Sequence, residues 1–343
     1  MAVLVVLASL FTAGCPDDKD KGTDGTEEPT TEEEPTTEEE PEPECTYRQD
    51  PLPPAYSWSF STVPVGQTTA RYYLPASPIG LVMLFDGGGG SDIWFNQIEA
   101  RRITEALVDE SYAVMALESD DPNDGNFDAT DDPTNVDVVN LQSAIAIAQG
   151  GGVPATVPIY YLGYSSGGFF ASLAHRYEPA SALALLNVRG DETTYDPATH
   201  PAGGPPTAWV IGRNDLLVDP DDGTLEANID HLLGFGIDHE LWINEPIGAT
   251  EFAFARIADP SSAVSDQDSE AAITDMRDAD MLDDCDVPVD EASILDLSSI
   301  ALGASFTATF TIEATRQIDE LYGAHAISSD FRDEIVEFFG DHP

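Results

Sequence analysis

The feature that most constrains the fold is an alternation of short apolar segments with longer amphipathic ones between residues 71 and 243. The apolar segments, such as GLVMLF at 80–85, have the continuous character of strands that are covered on both faces. We predict strands at 71–74, 80–85, 113–117, 159–162, 182–186, 208–211 and 239–243, and helices at 93–110, 136–149, 168–177 and 224–235. This alternation predicts an α/β fold with a mostly parallel central sheet and helices on both faces.

Residues from about 247 to 322 break the alternation. They are rich in polar stretches, and helices are predicted there at 269–281 and 306–321. A last amphipathic helix is predicted at 330–340, where Phe331, Ile335, Phe338 and Phe339 form one apolar stripe. We therefore expect a single domain at 45–343, with a helical cap at about 247–322 inserted after the last strand.

The first 15 residues, MAVLVVLASLFTAGC, form an apolar segment shorter than the roughly 20 residues that span a bilayer. Such a segment is typical of a signal peptide. Its end, TAGC at 12–15, resembles a bacterial lipobox, in which the cysteine is acylated after cleavage. We expect export and a lipid anchor at Cys15 on a bacterial membrane, facing the periplasm or the cell exterior. A secretory signal without lipidation is the alternative, because Thr12 stands where leucine is usual.

Residues 16–44 contain two copies of PTTEEE, at 29–34 and 35–40, and no apolar side chain that could form a core. We expect a disordered acidic tether. The whole chain has 13 basic and 64 acidic residues and a formal net charge of −51. Such a charge repels phosphate backbones and excludes nucleic acid as a partner. Because salt would screen the self-repulsion, the charge also suggests a saline source, with an ordinary acidic exported protein as the alternative.

Cys45 and Cys285 are the two cysteines that remain after the lipidation site. In an oxidising compartment one such pair favours a disulfide, and two unrelated thiols are the alternative.

The segment GYSSG at 163–167 matches G-x-S-x-G, with a predicted apolar strand before it and a predicted helix after it. This is the context in which a serine stands exposed on a tight strand-to-helix turn. We predict Ser165 as a nucleophile, with the backbone N–H of Ser166 donating to a developing oxyanion. The alternative is a glycine-rich turn in a binding protein.

A serine nucleophile needs a base that is oriented by an acid. Asp215 follows a predicted strand in GRNDLLV at 212–218 and is the predicted acid, with Asp219 as the second choice. His325 immediately precedes the last amphipathic helix and is the predicted base among six histidines. The inserted cap would have to return the chain to the site.

The loop DGGGG at 86–90 follows the predicted strand 80–85, and Gly87 and Gly88 are the predicted second oxyanion donors. A flexible glycine turn is the alternative. The acidic stretch 120–132 has a faint calcium-loop spacing, but Pro122 occupies a ligand position and Asp131 stands where the closing glutamate belongs. We therefore expect a solvated loop there, and no metal or cofactor.

Together these motifs resemble the α/β-hydrolase superfamily over about 65–250 and 323–340. The stretch LGYSSGGFF at 162–170, with the glycine loop, is most similar to secreted hydrolases of the polyhydroxybutyrate-depolymerase and feruloyl-esterase type. The resemblance implies hydrolysis of a small or polymeric carboxylic ester through an acyl-enzyme, without a cofactor, by a monomer. A non-catalytic surface lipoprotein and a serine peptidase on the same fold are the alternatives.

Overall fold

The computed structural model describes residues 45–47, 59–88, 93–121, 125–196, 198–199, 203–221, 223–250, 253–254, 265–292, 294–295 and 308–343. Cys15 and the predicted tether at 16–44 lie outside these residues, so their assignments stay predictions.

Eight strands form one sheet in the order β1-β2-β4-β3-β5-β6-β7-β8. The strands are β1 (Ser61–Val65), β2 (Thr68–Tyr73), β3 (Leu81–Phe85), β4 (Ala113–Leu117), β5 (Ile159–Tyr164), β6 (Ala182–Leu186), β7 (Thr207–Gly212) and β8 (His239–Asn244). Strand β2 pairs antiparallel with β1 and β4, and all pairs from β4 to β8 are parallel. The predicted mostly parallel sheet is confirmed.

Helices cover both faces of this sheet. They are α1 (Ile93–Asn96), α2 (Ile98–Asp109), α3 (Val136–Gly150), α4 (Ser166–His175), α5 (Gly223–Phe235), α6 (Asp266–Asp278), α7 (Ala308–Tyr322) and α8 (Arg332–Asp341). Alternate residues of β3 belong to different layers. Met83 and Phe85 lie in the core cluster that includes apolar residues of α3, α4 and α5, and Val82 and Leu84 lie in the cluster that includes those of α1, α2 and α8. This is the period-two alternation of a strand that is buried on both faces.

One prediction about a single element is wrong, and one strand of the sheet has no predicted counterpart. The helix predicted at 93–110 is two helices, because Gln97 has an extended backbone (φ −74°, ψ 137°) that separates α1 from α2. The change of direction there lets Trp94 and Phe95 pack in the same core as α2. Strand β1 was not predicted, since it is an edge strand with only one buried residue, Val65, and with Pro64 in its interior. The other predicted elements begin and end within three residues of the observed ones.

Helices α6 and α7 lie between β8 and α8 in the chain, where the helical insertion was expected. Their apolar residues form a third cluster, separate from the two layers that cover the sheet, which includes Ile273 and Met276 of α6 and Ile318 and Leu321 of α7. Among the described residues, no helix combines the length and the apolar character needed to cross a bilayer.

A disulfide joins Cys45 to Cys285, with the two Cα atoms 5.3 Å apart. Hydrogen bonds surround it, because the N–H of Gly248 donates to the carbonyl of Thr46 and the N–H of Ala249 donates to that of Asp286. The beginning of the described domain is therefore fixed to the chain that follows β8 and to the loop that follows α6.

Because the disulfide closes a loop of 240 residues, reduction should lower the free energy of unfolding by about 2–4 kcal/mol. The measurement is thermal unfolding with and without a reductant. The C45S/C285S variant should unfold at the lower temperature under both conditions. Equal midpoints for the oxidised and the reduced protein would show that the bond contributes nothing.

Candidate active site

The strand-to-helix turn at Ser165 lies between β5 and α4. Ser165 has φ 53° and ψ −124°, a strained conformation for a residue with a side chain. Its N–H donates to the carbonyl of Leu186 on β6 over 2.9 Å, and its own carbonyl accepts the N–H groups of Gly168 and Phe169. The two neighbouring strands and the first turn of α4 therefore hold the strain in place.

The glycines around this turn are required by close backbone contacts. A Cβ atom at Gly163 would lie 2.5 Å from the carbonyl oxygen of Gly167. A Cβ atom at Gly167 would overlap the backbone of Phe85 and Asp86 at the end of β3. Only glycine allows β5, α4 and β3 to approach one another in this way.

Three of the predicted site residues are in direct contact. Nε2 of His325 lies 2.9 Å from Oγ of Ser165, and Nδ1 lies 2.7 Å from Oδ2 of Asp215. Asp215 is buried, and its second oxygen accepts the N–H groups of Leu217 and Val218 over 2.8 and 3.0 Å. The carboxylate is therefore fixed by its own loop and presents one oxygen to the imidazole.

The alternative residues are not in this contact. Asp219 is exposed and accepts the N–H of Asp221. His175, His239 and His342 are engaged locally, with Ala180, Ile237 and Phe338 respectively. His231 packs against Phe235 within α5, and His200 lies outside the described residues.

The glycine loop after β3 lies beside the turn. A Cβ atom at Gly87 would lie 2.7 Å from Cβ of Ser165, and Gly88 has φ 95°. The loop backbone therefore approaches the serine as closely as a missing side chain allows. Asp86, the first residue of this loop, is buried. Gly89 and Gly90 lie outside the described residues.

In this site a serine lies on a strained strand-to-helix turn at the carboxyl end of a parallel strand. The serine contacts a histidine, and the histidine contacts an aspartate. The three residues occur in the order Ser, Asp and His along the chain. The chain has an α/β-hydrolase fold. This agrees with the expectation from the sequence, and it rests on the sheet and the turn of this chain.

No family model matches the sequence, and a search of the curated proteins finds no match. Solved structures do match. An esterase from Pyrococcus furiosus is 14% identical over 58% of this chain and 87% of its own, with a TM-score of 0.41. A dienelactone hydrolase-like promiscuous phosphotriesterase from metagenomic libraries is 16% identical over 57% of this chain and 83% of its own, also at 0.41. A puromycin-hydrolyzing peptidase from Mycobacterium tuberculosis is 14% identical over 54% of this chain and 36% of its own, at 0.39.

In this α/β-hydrolase fold, the chain that returns from α7 to the site is held by three asparagine side chains, each at the carboxyl end of a strand. Each donates its Nδ2 to a backbone carbonyl at the end of α7 or in the segment 323–327 that carries His325, the histidine loop. The bonds run from Asn187 after β6 to Ala326 (2.5 Å), from Asn214 after β7 to Tyr322 (2.8 Å), and from Asn244 at the end of β8 to Glu320 (3.1 Å).

Some of these bonds satisfy carbonyl groups at the end of a helix. The last carbonyls of a helix have no partner within it, and two of the three asparagines cap carbonyls in the last turn of α7. Asn187 binds the chain after the helix. Its Nδ2 donates to the carbonyl of Ala326, next to His325, and its Oδ1 accepts the N–H of Gly212, at the end of the strand before Asp215. The base and the acid are thus tied to each other through one buried amide.

The hydroxyl of Tyr164 adds a further bond, to the carbonyl of His325 over 2.8 Å. Burial raises the pKa of Tyr164 well above its ordinary value, and the nearby charge of Asp215 raises it further. The tyrosine therefore stays protonated and remains a donor at physiological pH.

A cleft of about 300 Å³ lies next to His325 and Gly87. Helices α1 and α2 and one side of α7 form its walls, and eight of the fourteen lining residues are polar. The lining residues are Gly87, Gly88, Ile93, Gln97, Ile98, Glu99, Tyr164, Glu313, Arg316, Gln317, Asp319, His325, Ala326 and Ile327. The size is at the lower end of the range for small-molecule sites.

Glu99 of α2 is a buried carboxylate at the base of this cleft. It accepts the N–H and the hydroxyl of Ser329 on one oxygen and the side-chain amide of Gln317 on the other, over 3.0 Å. Because Ser329 follows the histidine loop and Gln317 lies on α7, Glu99 connects both to α2.

Two residues of the acidic stretch at 120–132, Asp120 and Asp128, are held by Asp137, the second residue of α3. Its two oxygens accept the N–H groups of Asp120 and Asp128 over 2.9 and 2.7 Å. Within the described ranges, no three metal-ligating side chains gather closely enough to hold an ion.

The variant N187D would replace the amide that donates to the carbonyl of Ala326 by a carboxylate. A carboxylate oxygen has no proton to donate, so two acceptors would face each other. We expect a loss of about 1–3 kcal/mol in the free energy of unfolding, and a looser contact between His325 and Asp215. The measurement pairs denaturant unfolding with the downfield proton NMR signal of the imidazole Nδ1–H, which should weaken or shift.

The matched control is N228D, because Asn228 is also buried and donates its Nδ2 to a backbone carbonyl, that of Arg189, over 3.0 Å. It should lose a similar stability and keep the imidazole signal. If both variants left the signal unchanged, Asn187 would have no role in placing the histidine.

Proposed function

We propose that this protein is a serine hydrolase that cleaves carboxylic esters through an acyl-enzyme, with Ser165, His325 and Asp215 as its catalytic residues. The observation that carries the proposal is the pair of contacts of one imidazole, 2.9 Å to the serine hydroxyl and 2.7 Å to a buried carboxylate. A serine becomes a useful nucleophile when a base of this kind accepts its proton as it attacks.

In the first step, Oγ of Ser165 forms a bond to the ester carbonyl carbon while its proton passes to Nε2 of His325. Asp215 keeps Nδ1 protonated and stabilises the imidazolium that results. The tetrahedral intermediate then collapses, and the alcohol leaves with the proton from Nε2. In the second step, water attacks the acyl-enzyme, gives its proton to the same nitrogen, and the acid is released as Ser165 regains its hydrogen.

The negative charge on the carbonyl oxygen needs donors that are in place before it develops. The N–H of Ser166 is the first amide of α4 and has no acceptor within the helix. The amides of Gly87 and Gly88 are the complementary donors in this proposal, because the loop backbone lies against Ser165. The positive end of the α4 dipole supports the same charge.

A binding protein that uses this scaffold without catalysis is the second candidate, and Asp86 is the observation that favours it. A buried carboxylate next to Gly87 would oppose a developing oxyanion if it were charged. The two candidates differ in whether the serine is activated, so one reaction separates them.

A fluorophosphonate probe, which reacts only with an activated serine, should label the wild-type protein and fail to label S165A. Turnover of a p-nitrophenyl ester should fall by several orders of magnitude in S165A. S143A is the control, because Ser143 is an exposed residue of α3 that bonds within its own helix, and it should behave as the wild type. Assays in molar salt screen the net charge of −51. An unlabelled wild-type protein would favour the binding function.

We also propose that the domain works outside the cytoplasm, anchored through a lipid on Cys15. The disulfide supports this, because such bonds persist in oxidising compartments. In a bacterial host, an alkyne-bearing fatty acid should label the full chain and not C15A, while both should carry the disulfide. Equal labelling of the two proteins would contradict the anchor.

A further inference from the structure

Gln317 presents a buried side-chain amide in the wall of the cleft. It lies on α7, is 1% exposed and lines the cleft beside His325. Its Nε2 donates to Oε1 of Glu99 over 3.0 Å, while Oε1 has no hydrogen-bond partner among the described residues. A buried acceptor in this condition destabilises the fold, and a ligand that brings a donor would remove that cost.

The orientation of this amide is fixed by its neighbour. Turning the amide over would place its oxygen against the carboxylate of Glu99, and two acceptors would then face each other. Glu99 is itself held by Ser329, so it does not turn to relieve the conflict. The unused group of Gln317 is therefore an acceptor, and its complement is a hydroxyl or an N–H.

The other polar residues of the wall, which stand beside Ile93, Ile98 and Ile327, are consistent with a polar occupant. Arg316 and Glu313 form an ion pair at the cleft, and Asp319 and Gln97 also line it. A long alkyl chain placed there would remove water from these groups without replacing their hydrogen bonds. The volume of about 300 Å³ further limits the occupant to a compact group.

We infer that the cleft binds a compact hydroxyl-bearing part of the ester substrate, with Oε1 of Gln317 as the acceptor for that hydroxyl. Gln317 is then a specificity residue, in an inference that rests on the proposed hydrolase function. The hydroxyl is carried either by the acyl group or by the alcohol, and two pairs of substrates distinguish these sources.

Each pair differs only in a hydroxyl against a methyl group. The acyl pair is p-nitrophenyl 3-hydroxypropanoate and p-nitrophenyl butanoate. The alcohol pair is 2-hydroxyethyl acetate and propyl acetate. The measured quantity is the ratio of kcat/KM for the hydroxyl ester to kcat/KM for the methyl ester. In one of the pairs, this ratio should be about tenfold higher in the wild type than in Q317M. The reason is that methionine has a similar length and lacks the acceptor. Comparing ratios removes the intrinsic reactivity of each ester.

The matched control is Q142M, because Gln142 is an exposed residue of α3, and its ratios should equal those of the wild type. Should Q317M fail to fold, the wild type decides alone. The wild-type kcat/KM ratio of the two esters is then divided by the ratio of their base-catalysed hydrolysis rates. This value should be about ten in one pair, and a value near one in both pairs overturns the inference.

The two levels of the proposal fail in different ways. Fluorophosphonate labelling of Ser165, together with equal ratios in wild type and Q317M for both pairs, overturns the role of Gln317 and leaves the hydrolase standing. A loss of preference in the acyl pair or in the alcohol pair supports the inference and assigns the cleft to that side of the ester.

Discussion

The site depends on how a chain that leaves the sheet at Asn244 is brought back to it at His325. The return is made by side-chain amides at the ends of three neighbouring strands, which bind the last carbonyls of α7 and the histidine loop. The carboxyl ends of parallel strands lie at one edge of a sheet, so residues that follow different strands can bind one incoming segment. These bonds fix the position of the imidazole relative to Ser165, together with the bond from the Tyr164 hydroxyl to the carbonyl of His325.

These bonds are made by neutral amides and not by charged side chains, which is consistent with the composition of the chain. The chain has few basic residues against many acidic ones, so paired charges can support only a few contacts. The ion pairs near the site, such as Arg213 with Glu245 and Arg316 with Glu313, are partly exposed, and exposed pairs contribute little to stability. A buried amide between two backbone groups is also insensitive to salt and pH, which suits a protein with a large uncompensated charge.

Helix α7 connects two features that are usually separate. One of its sides lines the cleft through Arg316 and Gln317, and its last turn is fixed by the strand ends that also hold the histidine loop. Glu99 joins the same helix to α2 and to Ser329. The wall that would contact the substrate and the base that would act on it therefore belong to one hydrogen-bonded unit, and a shift of one should be felt by the other.

The sequence by itself determined seven of the eight strands, most helices and the position of the tight turn at Ser165. Periodicity and apolar runs report burial on each face of an element, and glycine spacing reports close backbone contact, so both kinds of information are local. Local patterns did not predict β1, which is an exposed edge strand. They also did not predict the break at Gln97, which occurs where Trp94 and Phe95 pack into the core.

Only the tertiary structure decided which side chains meet. The sequence offered Asp215 and Asp219, six histidines and a pair of cysteines, and each choice depended on contacts over more than a hundred residues. It gave no sign of the asparagine bonds or of the unused acceptor of Gln317, because both arise where strand ends, α2 and α7 come together. Residue types limit the chemistry that is available, and distance determines which of it occurs.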